Sequence, residues 1–277
     1  MARLFGRTCQ VSVEGKQVAA LDFTFEVKRS LGFGTGTAKV DIYNLNPQSR
    51  VDLEKLYRAN LVIAAGYKDE VSMLFSGDLR TPITTRSGAD LVTTLEGSDC
   101  SWAYGGTKAK ISLAPGSTSK DAVGALVDKS GVMVGNLMQQ LEKSLSKYLP
   151  NGFSFSGNPT VALQRWATTA GFELSIQDGA FQAIQIGKAF AGKGQLLTPE
   201  TGLVESPTPQ RSNQPNIRLW NCKALIRPGL LPGRAVRVEV KDVKADFRIR
   251  EVTFSGSVFS NEWFAQMVLE DLRYATI

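Results

Sequence analysis

The chain has 277 residues, 43% hydrophobic and 21% charged, which suits two or three modest domains with proper cores. It carries a net charge of +6 and no histidine, so the commonest general base, the commonest metal ligand and every Ser/His or Cys/His arrangement are excluded. Three cysteines, Cys9, Cys100 and Cys222, stand far apart in sequence and fit reduced structural thiols; they suggest neither a disulfide framework nor a zinc site.

The start, MARLFGRTCQ, has no apolar stretch behind its basic residues, so no secretory signal is expected. Residues 1–30 read as two alternating strands around a turn at Gly15-Lys16, the second presenting Leu21, Phe23, Phe25 and Val27 on one face. A glycine-rich loop, Gly32-Phe33-Gly34-Thr35-Gly36, leads into AKVDIYNLN, another strand. A phosphate-binding loop needs its glycines to open a helix, so this one reads as a hairpin tip. Pro47 opens a short helix with Val51, Leu53, Leu56 and Tyr57 near helical spacing.

Residues 61–99 then give an alternating run, a polar turn, a second run, a second turn and a third run. Residues 235–271 repeat that order. One strand grammar is written twice. A subunit with two similar β units would let a trimer present six similar surfaces, which suits an adapter between rings of different symmetry.

Between the two lies a different kind of sequence. Ser117-Thr118-Ser119 caps a helix that ends at Gly131, and Val134, Leu137, Leu141 and Leu145 trace a stripe along a second helix over 132–148. Asn158-Pro159 starts a third helix that stops at Gly171, and Asp178-Gly179 marks a hairpin. Residues 191–216, rich in Pro, Ser, Thr and Gly, read as a linker or extended arm.

The expected fold is therefore mainly β (α+β), with two tube-like β-barrel domains separated by a small α+β domain. The divisions are 1–103 for the first barrel, 104–190 for the insertion, 191–216 for the arm and 217–277 for the second barrel. Carboxylates such as Asp69, Asp78 and Asp99 sit beside glycines or in turns, where Asp is expected anyway, and the basic residues near 234–250 are interleaved with acidic ones. Neither pattern marks a catalytic pair or a nucleic-acid footprint. No catalytic residue, metal ligand or cofactor is expected, and no segment is long and apolar enough to cross a bilayer.

The phrases VDIYNLNPQSR, VIAAGY, LFSGDL, IRPGLLPGRAVRVEV, FRIREVTFSG and EWFAQMVLE, in that order, resemble the tail hub proteins of phages. That family includes the baseplate hub of contractile-tailed phages and the late-control gene D proteins, and the resemblance covers almost the full chain. It implies a homotrimeric hub, a pseudo-sixfold ring stacked on the tail tube or distal tail protein. A central spike would sit on its other side, with the tape measure protein as a further partner and the genome passing through the lumen. The location implied is the virion tail, after assembly in the host cytoplasm. Phe33, Gly34 and Thr35 are the expected inter-subunit contact, with Phe33 as the anchor. The competing readings are a tail-associated cell-wall-degrading enzyme and a nucleic-acid-binding module, the latter motivated only by a pI near 9.2.

Overall fold

A computed structural model describes residues 6–18, 22–32, 34–56, 58–68, 70–142, 145–192, 194–212 and 217–273. With 51% strand against 18% helix, the chain is mainly β. It folds as two compact units, one made of 1–30, 36–98 and 187–277, the other of 31–35 and 99–186.

The first unit begins with β1 (Arg7–Val13), β2 (Lys16–Gln17), β3 (Phe23–Ser30) and β4 (Thr37–Tyr43). Glu14 and Gly15 turn the chain between β1 and β2 with φ of 50° and 73°, the left-handed pair of a tight hairpin. Helix α1 (Pro47–Glu54) follows, with proline in its first turn and the Asn46 side chain accepting from the Ser49 N–H. Then come β5 (Asn60–Tyr67), β6 (Glu70–Leu79), β7 (Ile83–Ser87) and β8 (Asp90–Ser98).

The second unit is a small α+β assembly. It holds α2 (Ser101–Gly105), β9 (Ala109–Leu113), β10 (Ser117–Thr118), α3 (Ser119–Ser130), α4 (Leu137–Leu141), β11 (Tyr148–Leu149), β12 (Phe153–Gly157), α5 (Pro159–Thr169), β13 (Phe172–Gln177) and β14 (Ala180–Gln185). Thr118 and Asp121 cap α3 reciprocally, and Gly131 ends it at φ 71°. Asp178 and Gly179 turn β13 into β14 at φ 52° and 80°. Among the described residues, the expected helix over 132–148 is α-helical only over α4. Gly135 at φ 52° cannot join a helix, and Tyr148-Leu149 instead pair with β10. Leu126, Leu137, Leu163 and Phe181 are fully buried at this unit's centre.

The chain returns to the first unit with β15 (Gln195–Leu197), a 3-10 turn at Pro199–Thr201, β16 (Leu203–Gln210), β17 (Leu219–Leu225), β18 (Ala235–Val240), β19 (Val243–Ser257) and β20 (Trp263–Asp271). The segment 191–216, expected as a linker or extended arm, carries β15 and β16. β16 accepts its prolines because it ends the sheet, where a missing N–H breaks no interior ladder.

Strand pairing in this unit runs β16-β17-β20-β19-β3-β4-β8-β6-β5-β1-β2, with β18 also on β19, β15 on β18 and β7 on β8. Two runs of the same kind are joined in it. β3-β4-β8-β6-β5 and β16-β17-β20-β19-β18 have the same order of antiparallel ladders, read from either register. Ser98 pairs with Thr37 on one side and Asp78 on the other; Glu270 pairs with Leu219 and Arg248. Asn60 pairs with Asp78 as Ala235 pairs with Arg248. Burial follows suit: Leu61 and Ile63 in β5, and Val236 and Val238 in β18, are 1% exposed or less. The two runs differ at their outer neighbours, β1 being antiparallel to β5 while β15 is parallel to β18.

The expected pair of separate barrels is not what the described residues form. No closed barrel occurs among them, and both halves share one sheet and one core. The reason lies in β3, which gives its second edge to β19 rather than to a strand of its own half. Phe25, Val27, Phe254 and Trp263 are buried at that joint, each contributing about 1.5–3 kcal/mol on burial.

Candidate assembly interface

The β3–β19 joint defines what a strand edge of this fold can bind. Ser30 to Thr24 lie antiparallel to Glu251 to Ser257 in an unbroken register, with Val27 opposite Phe254, both 0% exposed. β19 is long enough to hold β18 along its first part and β3 along its second, on the same side.

In the first half the work of β19 is divided. β6 pairs with β8 only through Asp78↔Ser98 and Leu79↔Gly97; β7 then takes over from Ile83↔Thr94 to Ser87↔Asp90. Pro82 lies in the gap between them, where it ends one strand and lets the next begin. β7 thus stands where the β3-binding part of β19 stands in the second half. Among the described residues β7 pairs with β8 alone, and its Ile83 is 64% exposed.

At the other end, β16 stands where β3 stands in the first half, and among the described residues it pairs with β17 alone. Thr208, Pro209 and Gln210 face Asn221, Trp220 and Leu219 in consecutive register. Antiparallel pairs alternate between hydrogen-bonded and non-hydrogen-bonded, and Pro209 has no N–H to give. Thr208 and Gln210 therefore make the reciprocal bonds to β17, and Pro209 turns its carbonyl to the open side. A proline on an open edge discourages indiscriminate strand addition. Glu205 holds Lys223 at 3.1 Å nearby, and Val204 is 46% exposed.

Of the residues expected at the contact, Phe33 lies outside the described residues. Gly34 and Thr35 are half-buried, and Gly34 takes φ 146°, a conformation open to glycine. Burial pushes the Tyr104 hydroxyl up to about 12, while a backbone hydrogen bond from Gly34 works the other way. Gly34 is thus held within the second unit by Tyr104. The edges of β7 and β16 are not among the sequence-predicted site residues. Their signals are the prolines of TPITTRS and ESPTPQ, which set strand limits and edges.

The remaining chemistry is sparse. Among the described residues no cluster of three or more Cys, Asp or Glu is arranged to hold a metal ion, and no helix is long and apolar enough to cross a membrane. Burial pushes the Cys9 and Cys222 thiols up to about 12, away from reactive thiolate. The second unit has a groove of about 610 Å³ lined by Leu141, Leu145, Leu149 and Trp166, with Lys147 and Arg165 among its polar groups.

Comparison with solved structures gives this architecture a place. A tail protein from Neisseria meningitidis MC58 superposes with a TM-score of 0.68, covering 98% of this chain and 99% of that one at 12% identity. The chain has the fold of phage tail proteins. The 43 kDa tail protein of prophage MuSo2 from Shewanella oneidensis also gives 0.68, over 98% of this chain and all of its own, at 10% identity. An Escherichia coli component of the type VI secretion system, described as similar to the T4 bacteriophage tail proteins gp27 and gp5, gives 0.65 at 14% identity. That match covers 96% of this chain and 78% of the other. No family model matches the sequence. No curated protein matches it either.

Proposed function

We propose that the chain is a structural, non-enzymatic hub of a phage tail or phage-derived tail machine, acting as a homotrimer. The observation that carries this reading is the repeated ladder order, β3-β4-β8-β6-β5 and β16-β17-β20-β19-β18, within one polypeptide. Three chains so built supply six near-equivalent β runs, and a threefold particle then offers a sixfold surface. One side of that ring meets the tail tube or distal tail protein; the other seats a trimeric spike. The tape measure protein and the genome occupy its lumen in turn. The two tube-like domains of this reading are the halves around β5–β8 and β17–β20, and their tubular closure belongs to the ring rather than to the lone subunit. The fold shared with tail proteins, over nearly the full length of two of them, supports this reading.

Phe33, Gly34 and Thr35 are retained as a proposed contact with a neighbouring subunit. Phe33→Asp should block ring formation while leaving the subunit soluble and folded.

The test of the whole reading is mass and shape. Light scattering should report a particle of three times the 30.1 kDa chain, and negative-stain images should show a ring with an open centre. A monomer at every concentration up to the millimolar range would remove the hub reading. Clearing of a peptidoglycan suspension by the purified chain would instead favour a wall-degrading enzyme.

A further inference from the structure

We infer that the joint between β3 and β19 inside the chain is the template for the joint between chains, and that β16 of one copy pairs antiparallel with β7 of the next. This rests on the hub reading above and goes further by naming the strands and their register. Each half of the sheet has one β3-like edge and one β19-like edge. Inside the chain, the β3 edge of the first half is consumed by the β19 edge of the second. The two edges left over are β16 and β7, one of each kind, at unlike places on the same molecule. A plug and a socket on one subunit make a head-to-tail contact, which closes into a ring when the rotation fits.

The register follows from the ladders. Lys28 pairs with Thr37, and Gln210 pairs with Leu219; Thr37 and Leu219 in turn face Ser98 and Glu270. Lys28 and Gln210 are therefore equivalent. Ile83 pairs with Thr94 as Thr253 pairs with Gln266, and these partners lie four residues before Ser98 and Glu270, so Ile83 and Thr253 are equivalent. Since Lys28 faces Thr253 within the chain, Gln210 faces Ile83 of the next copy. Pro209 then faces Thr84, and the Pro209 carbonyl, turned outward, accepts the N–H of Thr84. The same mapping sets Glu205 opposite Ser87, because Glu205 and Lys223 pair as Thr24 and Asp41 do, and Thr24 faces Ser257. Ile83 leaves water in the same step. The proline excludes strands that need a donor at that position.

Cysteine cross-linking of the full chain tests this. Gln210 and Ile83 occupy a non-hydrogen-bonded pair, where Cα atoms approach to about 4.5 Å, within disulfide range. The double variant Ile83→Cys/Gln210→Cys should give, on mild oxidation, disulfide-linked dimers and trimers and nothing larger, whereas either single variant stays at the monomer band without reductant. If light scattering reports three chains but the double variant forms no link, the strand assignment is wrong and the trimer stands. If the chain is monomeric throughout, both fall together. A ladder running past three chains overturns ring closure.

Discussion

Arg248 and Glu270 face each other across β19 and β20, with the arginine Nε and Nη2 donating to one carboxylate oxygen, Oε2, at 2.9 and 2.8 Å. Both side chains are essentially sealed from solvent. Arg250 adds a third donor to the same oxygen at 3.1 Å, and the remaining arm of Arg248 reaches the Lys188 carbonyl. A buried charge pair of this kind contributes little compared with a packed apolar pair, yet breaking it leaves a charge stranded. Glu270→Ala should therefore lose about 3–5 kcal/mol in urea unfolding. Replacing the three together, as Arg248→Met, Arg250→Leu and Glu270→Leu, should lose much less. Equal losses would show that the cluster acts through something other than the unpaired cation.

Gly256 sits where β19 passes between Phe25 of β3 and Trp263 of β20, its register partners on either side. The two rings meet edge to face at 5.6 Å. A Cβ added at Gly256 would run into the Phe25 ring, and would stand 2.9 Å from the Trp263 ring. Neither ring has room to retreat, since both are buried in the core. Gly256→Ala should destabilise by about 1–3 kcal/mol, the usual range for overpacking. Gly88→Ala, with open space around its Cβ position but φ 62°, probes backbone strain without crowding. Chemical denaturation of the pair separates the two costs.

Local chemistry made most elements readable from sequence. Asn46-Pro47, Thr118 with Asp121, Asn158-Pro159 and Asp178-Gly179 each dictate a start or a turn through bonds within a few residues. The doubled grammar of 61–99 and 235–271 was legible because alternation reports which face is buried. Which strand lies beside which was not. Nothing in FTFEVKRS states that its second edge is taken by a strand more than two hundred residues away, and so two barrels were expected where one sheet forms. ESPTPQ shows composition suited to an arm, and only its place at the end of the sheet makes it a strand. The edge at β7 escaped for the same reason, because an unpaired edge is a property of the whole topology.

Asp121 is solvent-exposed, and its carboxyl lies below the usual range because the Thr118 backbone N–H and hydroxyl both donate to it, at 2.8 Å each. The sign is fixed by that depression. The charged carboxylate is favoured in the folded state, so its contribution is complete above the unfolded carboxylate pKa and is lost as pH falls through the lower folded value. Melting temperature should therefore drop with acid more steeply in the native chain than in Asp121→Asn, which keeps an acceptor but cannot titrate. Parallel curves between pH 5 and 2 would assign the acid sensitivity to other carboxylates.

Cys222 faces the core from β17, and Cys9 is half-buried on β1. Desolvation disfavours each thiolate and holds the thiols near pKa 12, so almost none is ionised at pH 8. A disulfide reagent attacks only the thiolate, and both residues must first be exposed. Dithionitrobenzoate at pH 8 should leave Cys9 and Cys222 unmodified over minutes in the native chain and modify both at once in guanidinium. Mass mapping of the labelled peptides identifies them. Rapid native labelling of Cys222 would mean that β17 opens readily, which would also weaken the case for β16 as a firm docking edge, since among the described residues β16 pairs with β17 alone.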